Sequence, residues 1–172
     1  MKTKIFLAGL LTSALLAACA TTTSPTGRTQ YVGGVSQQQL NQLGEQAFAE
    51  AKQKTPQSRD ARQNAYVGCV VNAVARQLPA PWNQQRWDYA LFENTEANAW
   101  ALPGGKVGVY TGIFRVARDQ DQLAAVIAHE VGHVVARHHD ERITRQVGAA
   151  GAVNLLGALA GGRLNAVCVP AE

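Results

Sequence analysis

The sequence predicts an α+β domain that is mainly helical, with one small β region beside a long helix. Three observations carry that reading. Two stretches with helical apolar spacing precede residue 80, and the one clear β region lies between Trp87 and Thr111. A proline-free run from Leu123 to about Val147 follows.

Ser36, with Gln39 three positions on, is a capping-box signature: the hydroxyl serves one free backbone N–H while the amide reaches back. Leu40, Leu43, Ala47, Phe48 and Ala51 then recur at helical spacing until Pro56. A second helix is expected from about Ser58 to Leu78, with Tyr66, Val67, Val70, Val71 and Val74 on one face and Pro79 as its stop. Both helices read as packing elements. Strands are expected at Trp87 to Phe92, Ala97 to Leu102 and Val107 to Thr111. Pro103-Gly104-Gly105 is a turn signal that joins the last two into a hairpin. Gly112 to Arg118 suits a short turn or helix. Asp119, with Gln122 three positions on, is an N-cap, and its helix is expected to run unbroken to about Val147. Gly148 to Gly162 is almost wholly Ala, Gly, Leu and Val and reads as a core helix packed closely through Gly157 and Gly161. It is shorter than the roughly 20 residues a membrane span needs.

A chain of 172 residues has room for one ordinary domain, and 47% hydrophobic with 16% charged residues can bury a core. The net charge of +4 falls to +2 once Lys2 and Lys4 are set aside, and the basic residues form no stripe. That argues against nucleic acid as a partner. Residues 1–18 read as a signal peptide: a short positive start, then an apolar stretch from Ile5 to Ala18. Leu16-Ala17-Ala18-Cys19 resembles a bacterial lipobox, in which the cysteine sulfur is acylated and cleavage falls before it. Ala20 stands where an aspartate would resemble an inner-membrane retention signal, so the expected location is the periplasmic face of the outer membrane. The alternative is an ordinary cleaved signal with an incidental Cys19. Residues 19–35 read as the lipidated cysteine and a flexible tether, and 36–172 as the domain proper. Cys69 and Cys168 either pair, as an oxidising compartment permits, or stay as two buried thiols.

The chemistry is concentrated in His129-Glu130-Val131-Gly132-His133. Residues four apart on a helix differ by about 40° around its axis and about 6 Å along it. His129 and His133 therefore present two imidazoles able to converge on one Zn2+ ion, and Glu130 flanks them as a base for the attacking water. Leu123, Val126, Ile127 and Val134 fall on the apolar side, so one face is buried and another catalytic.

The run from Asn98 to Gly112, then Asp121 to His133, then Ala136-Arg137-His138 closely resembles the zinc metallopeptidase family of HtpX, Oma-type and CAAX prenyl proteases. The signal makes it most similar to that family's periplasmic members of the LoiP and BepA type. The resemblance covers roughly residues 36 to 150. It implies a gluzincin-like fold with a β-hairpin edge along the substrate cleft, and endopeptidase activity on unfolded or misassembled envelope polypeptides. Asn98, Ala99, Trp100, Ala101 and Leu102 are the residues expected to hold substrate, by main-chain pairing that any extended peptide can make.

In the family a third zinc ligand, a glutamate, lies well downstream of the histidines. Asp140, Glu141 and Glu172 are the acids after His133, and none begins the family's Glu-x-x-x-Asp pattern. Asp140 and Glu141 are expected about 10–12 Å further along the same helix, beyond ligand reach unless it breaks. His139 has the spacing of a metzincin third ligand, but Ala136 stands where those enzymes turn on glycine, and Met1 is the sole methionine. His138 and His139 read as surface residues or as supports around the metal ligands. The expectation is a C-terminally truncated family member that binds zinc weakly. The alternative is an inactive, peptide-binding lipoprotein or fragment. For the anchor, Cys19→Ser is expected to abolish acylation and release or stall the product; unchanged mass and membrane fractionation would refute the lipobox reading.

Overall fold

The computed structural model describes residues 20–159, so Cys19, Cys168 and Glu172 fall outside it. In chain order it comprises β1 (Ala20–Thr23), β2 (Thr29–Val32), α1 (Gln37–Lys54), α2 (Ala61–Arg76), β3 (Asp88–Phe92), β4 (Ala99–Leu102) and β5 (Lys106–Tyr110). A 3-10 helix (Thr111–Arg115), α3 (Gln120–Val135) and α4 (His138–Leu159) follow. The class is α+β.

Local signals set most boundaries. Ser36 and Gln39 form the capping box at α1, and the Asp60 carboxylate accepts from the Arg62 and Gln63 N–H groups at the start of α2. Gly104 and Gly105, at φ +79° and +70°, turn β4 into β5, a backbone region that side chains disfavour. β5 is the middle strand, antiparallel to β4 and parallel to β3.

Strand alternation sorts the core into two layers. Leu91, Ala99, Ala101, Val107 and Val109 face one way, against Val67, Val70 and Val71 of α2 and Leu123, Ile127, Val131 and Val134 of α3. Ala90, Phe92, Trp100, Leu102 and Tyr110 face the other way, against Phe48 and Ala51 of α1. The sheet is thus covered on both faces. Gly44 marks how tightly α1 lies on the hairpin: a Cβ there would stand 2.0 Å from the Pro103 carbonyl oxygen. Lys106, nearly buried, places its ammonium 2.7 Å from both Glu45 of α1 and Asp88 of β3, tying the two layers.

Four expectations are corrected. The helix begun at Asp119 does not run to Val147; it ends at Val135, and α4 starts at His138 and continues unbroken through Gly148. Gly148 has no atom within 4 Å of a Cβ position, and residues 145–150 are exposed, so the first residues of the expected core helix, 148–150, are not buried. The close packing expected at Gly157 and Gly161 lies outside the described side chains. Cys69 is exposed on α2 rather than buried.

Residues 20–32, expected as part of a tether, form the antiparallel β1–β2 hairpin instead. Polar contacts hold it where apolar ones are scarce. The Arg28 guanidinium grips both Glu141 carboxylate oxygens at 2.7 and 2.5 Å, and the buried Gln30 amide donates to the Ala136 carbonyl at 2.8 Å. The Gly33 and Gly34 N–H groups donate to Asp140 and Thr144.

The Arg28 hydrogen bonds, with Arg145 adding to them, hold the Glu141 carboxyl near 2, against an ordinary 4.5. A carboxyl depressed in the folded state stabilises fully above its unfolded pKa and loses that contribution as pH falls toward the folded value. Between pH 4.5 and about 2, the wild-type chain should therefore lose stability more steeply than Arg28→Ala. Urea midpoints across that range test this; parallel curves would contradict it.

Candidate metal site and cleft

Asp119 opens α3 by accepting from the Gln122 N–H at 2.8 Å, while the Gln122 side chain accepts from the Arg118 N–H at 2.8 Å. From there Leu123, Ile127, Val131 and Val134 form the buried stripe that seats α3 beside β4 and α2. With that stripe inward, His129, Glu130 and His133 turn toward solvent on one flank. Their ligand atoms lie within 4.8 Å of one another, a cluster able to hold a metal ion. The His129 and His133 Nε2 atoms stand 3.2 Å apart, with the rings nearly perpendicular.

The break after α3 shapes the rest of the site. Arg137 sits at φ +57°, a left-handed conformation that costs a side-chain-bearing residue roughly 1–2 kcal/mol. Several contacts hold it there. Its carbonyl accepts from Glu141 N–H, its guanidinium pairs with Asp140 at 2.5 Å, and Gln30 takes the neighbouring Ala136 carbonyl. Asp140 and Glu141 also occupy the first turn of α4, where negative charge meets the positive end of the helix. The sharp turn thus falls at Arg137, not at Ala136.

This elbow moves residues that a continuous helix would have carried away. His138 is half-buried with its Nδ1 2.6 Å from His133 Nδ1. Burial, then the neighbouring His133, hold the His138 imidazole below its ordinary pKa. His139 is lowered for the same first reason, and its Nδ1 is buried without a hydrogen-bond partner among the described residues. Neither joins the metal-binding cluster.

Asp140 and Glu141 do not reach the cluster although the helix breaks. Asp140 is bound by Arg137, Thr144 and the Gly33 N–H; Glu141 is bound by Arg28, Arg145 and Gln30. Glu172 lies outside the described residues.

A cavity of about 300 Å³ opens beside the cluster, lined by Trp100, Ala101, Leu102, Glu130, His133, His138, His139 and Arg142. Of the residues expected to hold substrate, Trp100, Ala101 and Leu102 border it directly; Ala99 is buried in the core, and Asn98 precedes β4. A larger cavity, about 780 Å³, is lined by Lys52, Arg76, Trp87 and Asp88 among others, and shares no residue with the cluster. Of the two, only the smaller borders both an imidazole and the carboxylate of the motif. Arg142 was not singled out by sequence, since its place in the cleft follows from the elbow.

Residues 61–167 match the model of peptidase family M48. The chain is 42% identical over 87 residues to the mitochondrial metalloendopeptidase OMA1 of Schizosaccharomyces pombe, covering 46% of this chain and 26% of that protein. It is 30% identical over 99 residues to the beta-barrel assembly-enhancing protease of Escherichia coli, covering 56% of this chain and 20% of that protein. A putative protease of the same name from Vibrio cholerae is 31% identical over 102 residues, 58% of this chain and 21% of that protein. The chain thus spans about a quarter or less of these relatives. With the match covering well over half of its residues, including the whole histidine–glutamate cluster, the chain belongs to peptidase family M48.

Proposed function

We propose that this chain is a zinc-dependent metalloendopeptidase domain, lipid-anchored through Cys19 at the periplasmic face of the outer membrane, that cleaves misfolded or misassembled envelope polypeptides. The observation that carries this reading is the His129–Glu130–His133 cluster opening onto a cleft walled by an edge strand. Two nitrogens each 2.0–2.1 Å from a tetrahedral zinc ion stand about 3.3 Å apart, and the two Nε2 atoms here are 3.2 Å apart. The donor set therefore suits zinc.

Bound zinc would supply Lewis acidity for the scissile carbonyl and lower the pKa of the attacking water toward neutrality. Glu130 takes that water's proton and delivers it to the leaving amine. β4 supplies the extended binding edge. Tyr110 N–H bonds to Asn98 carbonyl across the β4–β5 pair. By strand alternation, Trp100 and Leu102 also turn their main-chain groups toward β5, so Ala99 and Ala101 turn theirs to the open side. An extended peptide pairing there needs no particular side chains, which suits a protease for unfolded clients. The envelope setting is supported by the Leu16-Ala17-Ala18-Cys19 run and by the printed names of the bacterial relatives. Among the described residues, no helix is long and apolar enough to cross a membrane.

A second reading, a peptide-binding lipoprotein without hydrolytic activity, is favoured by one observation: Asp140 and Glu141 are both committed to ion pairs and leave the cluster without a further carboxylate among the described residues. Zinc titration and casein hydrolysis separate the two. For the enzyme, Glu130→Gln should keep zinc while eliminating hydrolysis, because it removes the base and not a ligand. His129→Ala or His133→Ala should remove zinc binding and hydrolysis together. A wild-type chain that binds casein without cutting it would establish the second reading.

A further inference from the structure

We infer that His138 is the positioning residue for His133: it accepts the His133 Nδ1–H and thereby holds the tautomer whose Nε2 is free to bind metal. The inference rests on the metal-site reading above and deepens it.

His133 has a different neighbour at each ring nitrogen. Its Nε2 faces His129 Nε2 at 3.2 Å, and its Nδ1 faces His138 Nδ1 at 2.6 Å. A neutral imidazole carries one donor and one acceptor nitrogen, so a contact of 2.6 Å between two of them needs a single proton shared across it. Two arrangements satisfy that. With the proton on His138, His133 must carry its own on Nε2, aimed at His129 and the metal position, where it blocks ligation. With the proton on His133 Nδ1, the Nε2 lone pair faces the cluster. Metal-binding histidines commonly donate their second N–H to a fixed acceptor, most often a carboxylate or carbonyl, and that acceptor sets ring orientation. Here a second imidazole fills the role.

His138 is not a ligand itself, because its nitrogens lie outside the group formed by His129, Glu130 and His133. It reaches His133 because the left-handed Arg137 folds the start of α4 back over the end of α3. Gln30 and Arg28 of the β1–β2 hairpin hold that elbow from outside, through the Ala136 carbonyl and Glu141. The strain at Arg137 and the placement of His138 are thus parts of one arrangement.

The test uses the full chain with 15N-labelled histidine, metal-free, and reads the His133 tautomer by NMR. Zinc affinity is measured separately by competition with a chromophoric chelator, and thermal melting reports folding. In wild type, His133 should carry its proton on Nδ1. His138→Ala should give a mixture of tautomers and weaken zinc binding roughly 10–100-fold. His138→Asn, whose amide oxygen can accept the same proton, should restore the tautomer and most of the affinity. A wild-type His133 protonated on Nε2 would overturn the proposal. So would zinc affinity in His138→Ala within twofold of wild type, or a loss of affinity with an unchanged tautomer that Asn fails to rescue. A wild-type chain that binds no zinc would overturn the metal-site reading instead, and the metal-free spectra would still decide the role of His138.

Discussion

Leu123, Ile127, Val131 and Val134 bury one stripe of α3 against β4 and α2, and that burial fixes the rotation of the helix about its axis. Each such side chain contributes roughly 1.5–3 kcal/mol when fully buried. Four together are comparable with the whole stability of a typical domain, on the order of 5–15 kcal/mol. Turning α3 by one residue, about 100°, would expose them and drive His129 or Glu130 toward the core. The face carrying His129, Glu130 and His133 therefore needs no separate device to point it outward. It is what remains once the apolar stripe is satisfied.

A second constraint acts at the end of that helix. Nothing in the local sequence stops α3 at Val135: Ala136 and Arg137 are good helix formers, and no proline or glycine intervenes. Left to propensity, the chain would stay helical. The left-handed Arg137 is held by its own contacts with Asp140 and Glu141 and, through Glu141 and the Ala136 carbonyl, by Arg28 and Gln30, which are distant in sequence. The bidentate Arg28–Glu141 pair and the buried Gln30 contact act against backbone strain of roughly 1–2 kcal/mol. The β1–β2 hairpin thus sets the geometry beside the His129–Glu130–His133 cluster.

The division between what could be read from sequence and what could not follows the range of the interactions. Ser36 with Gln39, Asp119 with Gln122, and Pro103-Gly104-Gly105 each act within a few residues, and each structure they signal is present. The apolar spacing of α1, α2 and α3 was equally legible, as was the face shared by His129 and His133. The β1–β2 hairpin was not, because Thr-rich, Gly-rich residues 20–35 have little to bury, and what orders them is an ion pair spanning 113 positions. The helix break did leave a trace. Asp140 and Glu141 are an acidic first turn, the mark of a helix start, but within a continuous helix they are simply acids beyond ligand reach. The specific contact of His138 with His133 follows from the break. The parallel pairing of β3 with β5 joins strands separated in sequence by β4, so no turn signal marks it.

The central claim is that His129 and His133 bind one metal ion directly while His138 supports His133 from behind. X-ray absorption spectroscopy of the zinc-loaded chain addresses it most directly, since imidazole scattering counts the histidines around the ion. The account expects two imidazole nitrogens at about 2.0–2.1 Å, with oxygen donors completing the shell. Three imidazoles around the zinc would contradict it, because His138 or His139 would then be a ligand.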